Sequence, residues 1–207
     1  ESIANALPIV RKEIAATKKK KAVERSSIDQ RIDYRWIDLR TDENQLMFKA
    51  QSCFVNAMRK FLLDRNFIEI HTPKLIAAAS ESGSEVFKVD YFDRNAYLAQ
   101  SPQFYKQMAM AAGFERIFET GPVFRAEKSY TNKHATEFSG FDLEFSYITS
   151  FKDVMKMEEE LLTAGLQAVK DSYGDQIKEL FGQEVIVPET PFPVVKLADL
   201  YKALEEE

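Results

Sequence analysis

The sequence has 207 residues but only one cysteine, Cys53, and two histidines, His71 and His134. An internal disulfide is excluded, and the thiol and imidazole sets that hold structural zinc cannot be assembled from so few ligands. No apolar run approaches the roughly 18 residues of a membrane span, because lysine, arginine or an acid interrupts each one. With seven glycines and seven prolines, the chain also lacks the bias of a low-complexity or collagen-like protein. No charged-then-apolar signal segment opens it, and Glu1 stands where an initiator methionine would. These absences read as a fragment of a longer protein from a reducing compartment, the cytoplasm, with no membrane partner.

What is present is globular: 45% hydrophobic and 29% charged residues, enough to bury a substantial core. The net charge of −5 is unevenly spread. Residues 1–26 carry +4, mostly in the run "TKKKKAVER", and the remainder carries −9. The basic leader either brushes a phosphate backbone or is a solvated linker.

Punctuation divides the rest into elements. Thr41 caps a helix with Asp42 and Glu43 in its first turn. Leu46, Ala50, Cys53, Phe54, Ala57 and Phe61 form an apolar stripe along it, and Asn66 stops it. "FIEIHTP" alternates like a strand until Pro73 removes a backbone donor, which places it at an edge or an interface. "SESGS", residues 80–84, is a flexible polar loop, and "EVFKVDYF" returns to the strand pattern. "AQSPQFYKQMAMAAG", residues 99–113, is a helix with Ser101 as N-cap, Pro102 at the first helical position and Gly113 after the last turn. "RIFETGPVFRAE" and "EFSGFDLEFSYI" flank "KSYTNKHAT" as a long hairpin. Ser150 and Asp153 form a capping box for a helix to about Lys170. The proline-rich "IVPETPFPVV" then leads into a last helix, "KLADLYKALEEE". The fold class expected is α+β, an antiparallel sheet flanked by helices.

Chemistry gathers on two of these elements. Gln103 and Lys106 are one turn apart on one side of their helix, near the end where free N–H groups favour anions. On the second hairpin strand, Ser139, Phe141, Leu143 and Phe145 point to the core, while Phe138, Gly140, Asp142 and Glu144 point the other way. An aromatic plate, a gap without a side chain and two carboxylates in line suit a flat nitrogen-rich ring and an ammonium group. On the opposing strand Arg125 and Glu127 share a face, and if the two faces coincide an arginine fork for phosphate joins the patch. Taken singly, Arg125 with Glu127 reads as a solvated ion pair, Phe138 as packing, and His134 and Lys106 as solvent-facing residues. Their order within one hairpin changes that reading.

From about Arg31 to Lys170 the chain resembles the catalytic domain of the aspartyl-tRNA synthetases, class II enzymes of the eukaryotic and archaeal type. "FIEIHTPKL" looks like the first class II signature, ending at a proline of the dimer interface. "GPVFRAEKSYTNKHATEFSGFDLE" looks like the second, which binds ATP, and "YLAQSPQFYKQ" is the block that separates aspartate enzymes from their relatives. The resemblance implies a class II antiparallel sheet. It makes residues 1–30 a basic hinge from a preceding anticodon-binding barrel, and residues 31–207 the N-terminal part of a catalytic domain. The third signature, a second arginine for the aspartate side chain and the main magnesium ligands would lie beyond Glu207, so no metal ligand is identified here.

By that resemblance the activity is an aspartate–tRNA ligase using ATP and Mg2+, dimerising through Thr41–Pro73, with tRNA as partner and the fragment alone inactive. Arg125 would be catalytic, holding the α-phosphate and the substrate carboxylate. Glu127 would accept from the adenine amino group, Phe138 would stack on the ring, and Lys133 and His134 would complete the ATP set. Ser80 and Glu81 would close over aspartate, with Gln103 and Asp142 on its ammonium. Lys106 would face its side-chain carboxylate, an attraction of about 4 kcal/mol at 4 Å and an effective dielectric of 20 before desolvation. Asparagine would gain no such term. Two departures from the family pattern are Ser82 before Gly83, where paired glycines are usual, and Lys133 in an arginine's place. An ammonia-dependent asparagine synthetase, or a binding or dimerisation module without catalysis, are the alternatives.

Overall fold

The computed structural model describes residues 7–10, 25–79, 85–128, 131 and 133–205. The chain divides into two compact units, Glu1–Met58 with Leu162–Glu207, and Arg59–Leu161. Among the described residues no helix is long and apolar enough to cross a membrane.

In the first unit, helix α1 (Ile28–Asp33) starts where the Ser27 hydroxyl accepts from the Gln30 N–H at 3.3 Å. A single turn, α2 (Arg35–Asp38), follows, and then α3 (Asp42–Leu63) begins. Thr41 caps α3 as its sequence position predicts, accepting from the Asn44 N–H at 3.4 Å. The element between them is organised by one carboxylate. Asp38 is 0% exposed and pairs with Arg35 at 2.5 Å, Arg25 at 3.5 Å and Arg31 at 3.6 Å, with the Asn44 amide at 3.1 Å. Burial pushes its pKa up, but Arg31 and the hydrogen bonds from Arg35 and Asn44 outweigh that and hold it below the usual carboxylate range. The C-terminal part of α5 (Phe151–Phe181) and α6 (Leu197–Glu205) complete this unit. Gly165 of α5 lies under Phe54, where an added Cβ would come within 2.6 Å of the ring, so the glycine lets the two helices approach.

In the second unit two three-stranded sheets carry the architecture, β1-β5-β6 and β2-β4-β3. Their strands are β1 (Ile68–Glu69), β2 (Leu75–Ile76), β3 (Lys88–Tyr91), β4 (Arg94–Leu98), β5 (Arg116–Phe124) and β6 (Glu137–Phe145), with α4 (Gln103–Ala111) between β4 and β5. The long hairpin β5–β6 pairs from Arg116↔Phe145 to Phe124↔Glu137. The two sheets are joined through Ala99, whose N–H donates to the Lys74 carbonyl at 2.9 Å and whose carbonyl accepts from the Phe124 N–H at 2.9 Å. Leu62, Phe67 and Phe118 are buried, with Phe118 stacked on Phe141 and Phe67 edge-on to Phe145, both at 5.9 Å, while the buried Ile117 belongs to the opposite face of the hairpin. The face assignment for Phe141 and Phe145 follows from that packing.

The structure departs from the sequence reading at several elements. The sheet is antiparallel except at β1, which runs parallel to β5 (Ile68↔Ile117) because a helix and a second sheet intervene between them. "FIEIHTP" gives only a two-residue strand, with Pro73 beyond its end, at the sheet's edge as expected. β4 was not anticipated: it pairs with β3 through a two-residue turn in which Phe92 adopts a left-handed φ of 54°, a turn without the usual glycine or asparagine signal. And α5 continues past Lys170 to Phe181, since its one interruption there, Gly174, costs a helix only about 1 kcal/mol. At its start Asp153 accepts from the N–H groups of Thr149 (2.8 Å) and Ser150 (3.1 Å), the cap predicted for it. In α4, Pro102 occupies the cap position itself, with the Ser101 hydroxyl accepting from Gln103 N–H at 3.3 Å, and Gly113 takes φ +92° after the last turn.

Removing the Asp38 charge leaves partly buried guanidiniums facing one another. Asp38→Asn is expected to cost about 2 kcal/mol, below the usual 3–5 for a buried pair because the arginines reach water. A lower urea midpoint with unchanged slope in equilibrium unfolding is the measurement.

Candidate active site

The hairpin's register decides which side chains can meet. Residues opposite each other share a face, so one side of β5–β6 presents Val123 with Phe138, Gly121 with Gly140, Glu119 with Asp142, and Ile117 with Glu144. Just past β5, Arg125 donates its N–H to the Thr136 carbonyl at 3.0 Å, prolonging the ladder by one step. Its guanidinium carbon sits 5.6 Å from the Phe138 ring centroid, so the two faces separated in the sequence do coincide. The Arg125 Nε is buried and has no hydrogen-bond partner among the described residues, and Phe138 keeps 39% exposure. One end of the face is thus a cation beside an accessible aromatic plate.

The other end is ionic. α4 delivers Lys106, only 5% exposed, whose ammonium pairs with Asp142 and, at 3.2 Å, with Glu144. Gln103, one turn earlier on α4, is half-buried. A second lysine arrives from the segment between β1 and β2. Lys74 Nζ donates to Glu119 at 2.9 Å and to the Thr72 hydroxyl at 3.0 Å. Thr72 gives Glu119 its N–H at 2.8 Å and its hydroxyl at 2.7 Å. Glu119 is 3% exposed; burial raises its pKa, but the Thr72 N–H, the Lys74 ammonium and the Thr72 hydroxyl together hold it below the usual glutamate value. Between the ends lies Gly121 beside Gly140, where a Cβ on Gly140 would meet only Val123 and the Gly121 carbonyl at ordinary contact distances.

Glu127, Lys133 and His134 are exposed in the segment joining the strands, His134 with its Nδ1 2.5 Å from the Thr131 hydroxyl. Ser80 and Glu81, with the rest of the 80–84 loop, lie outside the described residues. The structure places Arg125, Phe138 and Asp142 on or beside one face of the hairpin, with Lys106 and Gln103 on the helix next to it, and adds Lys74 and Glu119, which sequence reasoning passed over. The signal for Glu119 was available: it shares the two-residue parity of Arg125 along "ETGPVFR". A cavity of about 520 Å³, lined by Arg65, Asn66, Ile68, Gly113 and Phe114 among others, contains none of the predicted residues. Among the described residues no cluster of three His, Cys, Asp or Glu side chains could hold a metal ion.

Chemically, this face can take an extended ligand: a flat ring and an anion at the Arg125–Phe138 end, and a group carrying both charges at the Lys106–Asp142 end. The family pattern described as tRNA synthetases class II (D, K and N) matches residues 27–206. An aspartate–tRNA(Asp/Asn) ligase of Methanopyrus kandleri is 46% identical over 181 residues, 87% of this chain and 42% of that protein. A cytoplasmic aspartate–tRNA ligase of Caenorhabditis elegans is 45% identical over 166 residues, 80% of this chain and 31% of the relative. The solved asparaginyl-tRNA synthetase of Pyrococcus horikoshii, bound to asparaginyl-adenylate, superposes with a TM-score of 0.80 at 33% identity, over 87% of this chain and 42% of that one. The chain thus spans well under half the length of the relatives it matches.

Because folding lowers the Glu119 pKa, its contribution to stability is complete above the unfolded carboxyl's pKa and is lost as pH falls through the folded value. As pH falls below the usual glutamate pKa, Glu119→Gln should flatten part of the acid limb of the stability curve, measured as urea midpoint against pH.

Proposed function

Since the chain belongs to the class II tRNA synthetases of the D, K and N group, we propose that it is the N-terminal part of the catalytic domain of an aspartate–tRNA ligase. Residues 1–30 are then the basic hinge from an anticodon-binding barrel, and residues 31–207 carry the first part of the catalytic site. The reaction activates aspartate with ATP: a carboxylate oxygen attacks the α-phosphorus, pyrophosphate leaves, and the aspartyl-adenylate formed passes its acyl group to a ribose hydroxyl of tRNA. The enzyme works in the cytoplasm as a homodimer formed through Thr41–Pro73.

The observation that carries this reading is the buried ammonium of Lys106 between Asp142 and Glu144. Aspartate brings an ammonium and a second carboxylate. Entering here, its side-chain carboxylate takes Lys106 while its ammonium takes Asp142, assisted by Gln103, so one ion pair opens and two form. A buried lysine discriminates strongly, because asparagine would leave it without that partner. Support also comes from the 46% and 45% identity to two aspartate–tRNA ligases.

At the other end Phe138 stacks on adenine and Glu127 accepts from its amino group. Arg125 neutralises the charge that develops on the α-phosphate, and Lys133 and His134 reach the γ-phosphate. These are positioning and electrostatic roles that require no protein nucleophile. Ser80 and Glu81 close over the amino acid from their loop. Magnesium accompanies ATP in this reading, but no step is assigned to it, because the described residues offer it no ligand cluster.

The full-length protein should catalyse aspartate-dependent exchange of pyrophosphate into ATP. Lys106→Ala is expected to lower kcat/KM for aspartate by about a thousandfold, the equivalent of roughly 4 kcal/mol. Exchange that survives in that variant at ordinary aspartate concentrations would remove the assignment.

A further inference from the structure

Glu119 and Asp142 stand directly opposite each other on the β5–β6 ladder. That places two carboxylates on one face with their Cβ atoms about 5 Å apart, an arrangement in which like charges repel. Each is matched by a lysine from a different element: Asp142 by Lys106 of α4, Glu119 by Lys74 of the segment after β1. Lys74 is held tightly for this task. Its carbonyl accepts from the Ala99 N–H at 2.9 Å, its ammonium is shared between Glu119 and Thr72, and its stem crosses the strand at Gly121. A Cβ at Gly121 would lie 3.5 Å from the Lys74 Cε, so the lysine stem passes the strand there at ordinary contact distance.

We infer that Lys74 is a specificity-determining positioning residue of this site, which keeps the Glu119 charge occupied so that an acidic amino acid can enter between Lys106 and Asp142 without being repelled. The inference rests on the reading of the site as one for aspartate. Lys74 itself touches no ligand. With Lys74 absent, Glu119 becomes an unmatched carboxylate beside Asp142. It disfavours an incoming carboxylate and competes for the Lys106 ammonium, on which the ligand depends. A neutral side chain of the same shape escapes the repulsion.

The test uses the full-length protein and pyrophosphate exchange, with asparagine as a competing, uncharged-side-chain ligand. Lys74→Met should raise the KM for aspartate about tenfold, a change of roughly 1.4 kcal/mol. The KM for ATP and the inhibition constant of asparagine should stay within about twofold of wild type. Adding Glu119→Gln to Lys74→Met should bring the aspartate KM back to within about threefold, since the orphaned charge is then gone. Glu119→Gln alone should lower the aspartate KM, because it leaves the Lys74 cation beside the site, and if Lys74→Met does not fold a KM that Glu119→Gln leaves unmoved or raises overturns the inference. The inference is overturned by an aspartate KM that Lys74→Met leaves unmoved, by asparagine and aspartate weakening in parallel, as damage to the fold would produce, or by a double variant that is not restored. A wild-type protein without aspartate-dependent exchange would instead defeat the underlying reading.

Discussion

Taking a lysine ammonium out of water is costly unless carboxylates meet it, and here both carboxylates come from a single strand. Because Asp142 and Glu144 are two residues apart on β6, they present on one face at the spacing of alternate side chains. Lys106 can reach both only if α4 lies across that face with its amino-terminal half over the ionic end. The cap at Ser101 and Pro102 fixes where α4 begins, and the left-handed Gly113 returns the chain to β5. The ion cluster and the position of the helix therefore specify each other.

Along the hairpin the charges are sorted. Arg125 and Phe138 occupy one end, the glycine pair the middle, and the lysine–carboxylate row the other. A ligand with phosphate at one end and a zwitterion at the other meets complementary groups in order. In the middle a Cβ on either glycine would stand at ordinary contact distance from its neighbours, and the Lys74 stem passes Gly121 to reach Glu119. Asp38 repeats the same physics in the other unit, where a fully buried carboxylate is the anchor and arginines from three positions of the chain converge on it.

Much of this was legible from local pattern. The capped helices at Thr41 and Ser150 and the parity of β6 are statements about nearest neighbours, and they hold; at the start of α4 the cap moves one residue, from Ser101 to Pro102. What the sequence hid was long-range pairing. β1 joins β5 in parallel across nearly fifty residues, and nothing in "FIEIHTP" encodes the partner. β4 was masked because "RNAYL" has a single clear alternation and its turn uses Phe92 at positive φ instead of glycine. Lys74 and Glu119 escaped for the same reason: each looks like an ordinary surface charge until β1, β2 and β5 are brought side by side. The sequence put Lys106 and Asp142 on separate elements as candidates for one site, and the structure adds that the two pair with each other.

The parallel edge strand also orders events in time. β5 and β6 are joined by a short connection and can zip together early, whereas β1 reaches β5 only after a far longer loop has closed. During synthesis or refolding the arginine–aromatic end of the face can therefore exist before Thr72 and Lys74 arrive to quench Glu119. In that interval Glu119 stands on the hairpin without the threonine and lysine that meet it in the finished fold, while Asp142 and Glu144 already have Lys106 of the neighbouring helix within reach.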